Sequence, residues 1–479
     1  MNHKTTYKLS DVFGISSKVP VTYVERPYVD TDFLSALNKD KHIVVYGCSK
    51  QGKTSLRKMH IDSDSFIAVQ CFAATTREML YAGILKEAGV EISKASTEKQ
   101  SRKKNIRANV SGEASAFIAK AKGNVESGYE TGQEESITKK YLEIDPGDPN
   151  DIIRTLDEIN FNKNIIIEDF HYLGGDVQEA FAADMKVFYE KTDKFRIIII
   201  GVWMQPGKLT RLNGDLEGRI SYVNADRWEE NELLAIIKKG EQLLNIEFSQ
   251  EVIEKMLFFC QHNVGLLQQI AEYICERVGV SKTQTYHLSI LDDSETERYR
   301  ETSTIEQPSD NITPPVHLIT TRGKEITDKE TQLNFHGGPI NKWLSELSRE
   351  RGRRYASFLR DFANGPQHHS GNMFRWIAYA IISASDNSLK TGLNLNQIYK
   401  YVLEISEIEG LKGDFKIQKK DVRFALHEIR SLHRELQIQP PILDYDATED
   451  ILRIVDSGFI LYHATQSKGE MLVSIGLDV

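Results

Sequence analysis

Gly47-Cys48-Ser49-Lys50-Gln51-Gly52-Lys53-Thr54 sets two glycines, a lysine and a hydroxyl at the spacing G-x-x-x-x-G-K-[ST], a pattern able to grip a triphosphate. Gly47 and Gly52 permit backbone angles that turn successive N–H groups inward, forming an anion nest at a helix N-terminus. Lys53 would then neutralise β- and γ-phosphate charge, and the Thr54 hydroxyl would ligate Mg²⁺. A strand-like run, HIVVY, enters the loop and a helical pattern leaves it from Ser55, which is the context the pattern requires. The predicted cofactors are ATP and Mg²⁺.

Farther along, Asn164-Ile165-Ile166-Ile167-Glu168-Asp169-Phe170-His171 ends an apolar run in two acids. One carboxylate there would hold the metal's hydration shell, and its neighbour could accept a proton from an attacking water. A solvated strand-end pair is the plain alternative, and the phosphate-type loop upstream argues against it. Thr54, Glu168 and Asp169 are the predicted metal-side residues. Lys53, Glu168 and Asp169 are the predicted catalytic groups.

Such groups need a rigid frame. Short, β-branched, unalternated runs at residues 42–46, 66–70, 165–167, 197–200 and 220–223 suit strands buried on both faces of a parallel sheet. Helical patterns at 55–60, 77–88, 149–160 and 176–191 fall between them, so the predicted class is α/β. Residues 93–144 interrupt this order with Ala, Gly, Ser, Lys and Glu and a partial alternation, and read as a hairpin-like or mobile insertion. Its use would be partner contact or nothing beyond a surface excursion.

The chain's 479 residues exceed a single core, since domains run ~100–200 residues. The predicted division is an N-terminal segment at 1–19, an NTPase domain at 20–225 and a helical lid at 226–280. A polar linker at 281–342 and a winged-helix domain at 343–479 complete it. In the last part, helices are predicted at 354–363, 374–384, 396–404 and 419–436, followed by strands at 442–445 and 451–455.

The net charge of −9 gives no support to a globally basic nucleic-acid binder. None of Cys48, Cys71, Cys260 and Cys275 forms a C-x-x-C pair, so the spacing suggests neither a metal knot nor a disulfide framework. The first residues lack an apolar signal core, and the longest apolar run, at 197–203, is far below the ~20 residues of a membrane span. The chain therefore reads as cytoplasmic, with no membrane partner.

The segments GCSKQGKT, IIIEDFHYL, FRIIIIGVW and GDLEGRISYVNADRWEENEL together resemble the AAA+ and STAND P-loop ATPases, in the Orc1-like and archaeal-ATPase branch. The resemblance covers most of 19–278 and extends to 374–463. It implies an ASCE/AAA+-like parallel sheet, a lid and a winged helix, with LRIVDSGFILYHA as the closing wing strand. Thr22-Tyr23-Val24-Glu25-Arg26-Pro27 is similar to the family's opening near the adenine, which makes Val24 and Arg26 nucleotide contacts by position. Glu168 takes the place of the magnesium-side Asp and Asp169 that of the catalytic Glu, in reversed order. Asp169 is one methylene shorter than Glu, which predicts slow hydrolysis. Arg219 occupies the place of an arginine finger or γ-phosphate sensor, with Arg211 as the rival. The strand end Gly201-Val202-Trp203 departs from the family in lacking a polar sensor, and Asn263-Val264-Gly265-Leu266 carries no sensor arginine.

On the helix predicted at 419–436, Lys420, Arg423, His427, Arg430 and Arg434 form a basic stripe opposite an apolar face. It lies where a DNA-reading helix would precede the wing, and its charges could neutralise phosphates or simply be solvated. A second cluster, Arg349, Arg351, Arg353 and Arg354, leaves the same choice open. His368-His369 reads as a loop pair. Two functions follow. The first is a STAND-like nucleotide switch, with homo-oligomerisation or a partner protein as output; bacterial signalling or antiviral defence is what the resemblance implies for it. The second is a DNA-associated ATPase of the Orc1 or transposition-adaptor kind.

Overall fold

The computed structural model describes residues 5–15, 18–94, 106–109, 141–203, 207–226, 228–292, 317–318, 336–337, 340–365, 372–409 and 417–477. These form two compact units: residues 29–46 with 57–224, and residues 1–28 with 47–56 and 225–479.

The first unit is built on a five-stranded parallel sheet. Its strands are β1 (His42–Tyr46), β2 (Phe66–Gln70), β3 (Asn164–Glu168), β4 (Ile197–Ile200) and β5 (Ile220–Asn224). Their order is β2-β3-β4-β1-β5, so β4 separates the strand that enters the glycine-rich loop from the strand that carries the acids. All five predicted runs are strands, with the third and fifth lengthened by one or two residues. Ile165, Ile166, Ile167 and the four isoleucines of β4 are fully buried, which is why these runs do not alternate. Helices Arg77–Glu87, Pro149–Glu158 and Gly175–Lys191 connect the strands.

The predicted insertion contains an antiparallel sheet of Glu91–Lys94, Ile106–Asn109 and Tyr141–Ile144, with the middle segment pairing to both neighbours. The rest of the insertion lies outside the described residues.

The second unit holds the glycine-rich loop and the helices α1 (Glu230–Leu244), α2 (Gln250–Cys260) and α3 (Val264–Arg277). From the predicted N-terminal segment, Leu9, Val12 and Phe13 are buried in the core of these helices, and Phe13 fills the space that a side chain at Gly240 would need. The polar linker is also structured at both ends. Leu288–Asp292 pairs in parallel with Ile246–Phe248, and helix α4 (Ile340–Ala363) adds Ile340, Trp343, Leu344 and Leu347 to the same core.

Beyond α4 come α5 (Met373–Ser383), the strand Leu393–Asn394, α6 (Leu395–Ile408), α7 (Lys419–Glu435) and the strands Leu443–Asp446 and Ile451–Ile454. The last strand lies between the other two in an antiparallel sheet. The segment LRIVDSGFILYHA (452–464), expected as the closing wing strand, is corrected: the strand ends at Ile454, and Ser457–Thr465 is helix α8. Asp456 causes the change, because its carboxylate caps the helix by accepting the Gly458 N–H at 3.1 Å. His368-His369 lie outside the described residues. Among the described residues no helix is long and apolar enough to cross a membrane.

Candidate nucleotide-binding site

The loop has the shape its glycines predict. Gly47 and Gly52 lie at φ +144° and +79°, and Lys50 joins them at +62°. A Cβ at Gly47 would stand 2.8 Å from Asp226 Oδ1, so both backbone angle and space demand glycine there. The helix Lys53–His60 begins at the lysine, and the Leu56 N–H donates to the Gly52 carbonyl at 2.8 Å. Thr54 and Ser55 thus lie in its first turn, where N–H groups point out of the helix end. Lys53 is buried, with Nζ donating to the carbonyls of Gly47 (2.9 Å) and Cys48.

The carbonyls on the loop's outer side are held by residues far away in sequence. Asn263 Nδ2 donates to Ser49 O at 2.9 Å, and the Gly265 N–H donates to Lys50 O at 3.0 Å. Trp228 Nε1 donates to Gln51 O at 3.3 Å, while Gln51 Nε2 donates to His262 O at 3.3 Å. Gly265 is there because a Cβ would fall 2.5 Å from Lys50 Cβ. The C-terminal segment joins in: Ser49 N–H donates to Val455 O at 3.1 Å, and Asn263 Nδ2 also donates to Ser457 Oγ at 3.1 Å. Asp456 between them is buried and fixed by Arg354 Nη1 (2.9 Å) and by the Tyr355 hydroxyl (3.0 Å). A cavity of about 300 Å³ beside this contact is lined by Ser49, Lys50, Gln269, Leu347, Arg354 and Leu461, among others.

Asp226, which the sequence did not single out, accepts the Cys48 N–H at 2.6 Å. Burial pushes its carboxyl up, against the pull of Lys53 and of that N–H. Burial, followed by the Asp226 charge, pushes the Cys48 thiol well above its ordinary range. Val24 packs against the core of α1, α2 and α3. Arg26 is fully buried, stacks 4.3 Å from the Trp228 ring centroid and donates from Nη1 to Ala225 O at 2.8 Å.

In the sheet unit, Glu168 Oε1 lies 2.9 Å from Arg57 Nη2. Asp169 follows at φ +57°, ψ +33°, a left-handed turn, and its Oδ2 accepts from Gln70 Nε2 at 2.6 Å. That backbone explains the reversed order of the acids, since Asp visits the left-handed region more readily than longer side chains do. The predicted sensor position is apolar: Trp203 is buried, and a Cβ at Gly201 would strike its ring.

Arg219 requires a correction. It precedes β5 at the sheet's N-terminal edge, where its carbonyl accepts the His42 N–H at 3.0 Å, whereas Tyr46 and Glu168 end their strands at the opposite edge. Its guanidinium donates to Asp215 O and lies 3.1 Å from Glu190 Oε1. Five residues of strand span about 16 Å, so Arg219 cannot be a γ-phosphate sensor for its own loop. The rival Arg211 is exposed on the short helix Lys208–Leu212.

The basic stripe on α7 is partly spent on its own domain. Arg423 makes a two-pronged contact to Asp450 (3.0 and 2.6 Å), and Arg430 pairs with Asp444 at 2.8 Å. Lys420 and Arg434 are exposed. In the second cluster Arg354 is tied to Asp456, while Arg349 and Arg353 are exposed.

No family model matches the chain, and no curated protein does. Among solved structures it is similar to a Walker-type ATPase of Pyrococcus abyssi, at 12% identity over 95% of this chain and 99% of that one, TM-score 0.47. Cdc6p of Pyrobaculum aerophilum is similar at 11% identity over 97% and 98%, TM-score 0.37. Orc1 of Aeropyrum pernix, solved with DNA, is similar at 11% identity over 97% of each chain, TM-score 0.39. The strand order with its entering glycine-rich loop, rather than these overlaps, carries the conclusion that the chain has a P-loop NTPase fold.

Proposed function

We propose that this chain is an ATP-binding, slowly hydrolysing ATPase that works as a nucleotide-driven switch. The loop residues fit a magnesium–triphosphate: two glycines at positive φ, a buried lysine and a hydroxyl in the first helical turn make an anion cradle. Bound Mg²⁺ would offset charge on the phosphates, with Thr54 and the Glu168–Asp169 pair as its protein side. Lys53 would exchange its carbonyl contacts for phosphate oxygens. Asp169 would orient water, and its short side chain keeps turnover slow.

The observation that carries the switch reading is the grip on Ser49. Its N–H is held by Val455 and its carbonyl by Asn263, which also reaches Ser457. A change in the loop's backbone on nucleotide binding is thereby coupled to the C-terminal segment. Inside the predicted domain at 343–479, the run of a short helix (Asp386–Thr391), the strand Leu393–Asn394, α6, α7 and the last two strands supports a winged helix, with α4 and α5 before it and α8 and the helix Lys468–Ser474 after it. The domain reading otherwise keeps an NTPase core at 20–225 and a lid at 226–280. A homo-oligomer or a partner protein would receive the output. DNA loading is the weaker alternative, because Arg423 and Arg430 are already paired with acids.

The test is retention of labelled ATP with Mg²⁺ by wild type and Lys53→Ala, with particle size measured under ATP and ADP. Retention lost in Lys53→Ala and a nucleotide-dependent size are expected, with turnover below ~1 s⁻¹. Equal retention by both proteins would falsify the ATPase reading. A size indifferent to nucleotide would remove the switch.

A further inference from the structure

The two acids after β3 have unequal partners. Arg57 lies on the helix Lys53–His60, one turn past the lysine, and its Nη2 sits 2.9 Å from Glu168 Oε1. Their side chains are only 8% and 16% exposed, so the contact is sheltered from solvent. The Arg57 guanidinium also lies 4.8 Å from the Phe66 ring centroid, which fixes it against β2. Arg57 Nε is buried without a hydrogen-bond partner among the described residues, so the contacts to Glu168 and the Phe66 ring offset the cost of keeping this cation inside. Asp169, one residue on, is held instead by the neutral amide of Gln70, in a contact open to solvent.

We propose that Arg57 is a positioning residue that anchors Glu168, offsets its charge and leaves Asp169 as the carboxylate able to change partners. The proposal rests on the reading of this chain as a magnesium-dependent ATPase and deepens it. A guanidinium held at hydrogen-bond distance weakens the pull of Glu168 on a second cation by charge repulsion at short range. The chain thus trades metal affinity for a fixed carboxylate geometry. Asp169, which makes no ion pair among the described residues, supplies most of the exchangeable negative charge. This division also accounts for the reversed order of the acids: the longer Glu reaches back to Arg57, and the shorter Asp tolerates the left-handed turn.

Retention of a non-hydrolysable ATP analogue, titrated with Mg²⁺, reads this without turnover. In Arg57→Gln the Mg²⁺ concentration at half-retention should fall on the order of tenfold, because no guanidinium then offsets the carboxylate of Glu168. Arg57→Lys keeps the cation and should stay near wild type. The double variant Arg57→Gln/Glu168→Gln preserves net charge and should also stay near wild type, while Asp169→Asn should raise the requirement about tenfold or more. A merely structural Arg57 would not tighten Mg²⁺ binding in any variant. An unchanged or raised requirement in a cooperatively melting Arg57→Gln overturns the proposal. So does a tenfold rise in the double variant, which keeps the test open if the single one fails to fold. Wild type that retains no analogue at any Mg²⁺ concentration overturns the ATPase reading instead, and this proposal with it.

Discussion

Gln70 Nε2 donates a 2.6 Å hydrogen bond to Asp169 Oδ2, joining the last residue of β2 to the acid that follows β3. If Asp169 activates water, this amide holds it in a resting position. Hydrogen bonds to charged groups contribute ~1.5–3 kcal/mol when sheltered, and this exposed one belongs below that range, at about 1 kcal/mol. Gln70→Leu should therefore raise steady-state ATP hydrolysis about fivefold and leave retention of labelled ATP unchanged. A rate equal to or below wild type would show that the contact does not restrain the acid.

The loop's dependence on its surroundings is tested at Gly265. A Cβ there would meet Lys50 Cβ at 2.5 Å and Lys50 O at 2.8 Å, and the Gly265 N–H would lose its bond to that carbonyl. Gly265→Ala should cost ~1–3 kcal/mol of overpacking and weaken retention of labelled ATP, measured by thermal melting and filter binding. Gly175→Ala, at a helix start with nothing within 4 Å of the new Cβ, is the neutral control. Equal melting of the two variants would contradict the close approach.

Much of the frame was legible because burial on both faces leaves a mark in single runs: HIVVY, FIAVQ, III, IIII and ISYV could hardly be anything else. The loop was legible because phosphate geometry fixes residue types at fixed spacing. Asp226, Trp228, Asn263 and Val455 were not, since each reaches the loop across roughly two to four hundred residues and three of them act through a backbone atom or a single side-chain donor. The start of α4 was hidden in polar sequence, as only Ile340, Trp343, Leu344 and Leu347 carry its apolar stripe. Arg57 looked like an ordinary cation on a helix, and only the fold brings Glu168 to it.

Stability should fall in mild acid, for a reason visible in each unit. His42 donates from Nε2 to Met185 O at 2.9 Å and accepts the Ile197 N–H on Nδ1 at 3.1 Å, and burial lowers its pKa to about 4. His433 is buried likewise and lowered to about 4, with Nε2 accepting the Ile442 and Leu443 N–H groups. Both folded values lie below the unfolded ~6.5. The stabilisation is therefore complete above that pH and is lost as pH falls through the window from ~6.5 to 4, by about 3 kcal/mol per group. Urea midpoints measured from pH 7.5 to 4.5 should decline, and His42→Gln should flatten the decline for the sheet unit. A midpoint constant over that range would contradict both burials.

The paired arginines of α7 make a prediction about salt. Each Lys or Arg that neutralises a phosphate adds close to one unit to the slope of log K against log salt. Arg423 and Arg430 are already engaged by Asp450 and Asp444, and moving them to DNA would leave those acids unpaired beside the backbone. If the chain binds duplex DNA at all, replacing both arginines by Gln should leave the slope unchanged. Lys420→Gln with Arg434→Gln, which removes exposed charges, should reduce it by about two. Fluorescence anisotropy of a labelled duplex at several salt concentrations separates these cases. A slope reduced by the Arg423 and Arg430 changes would mean that the ion pairs of α7 open to meet the phosphates, and would favour a DNA-loading ATPase over a protein-directed switch.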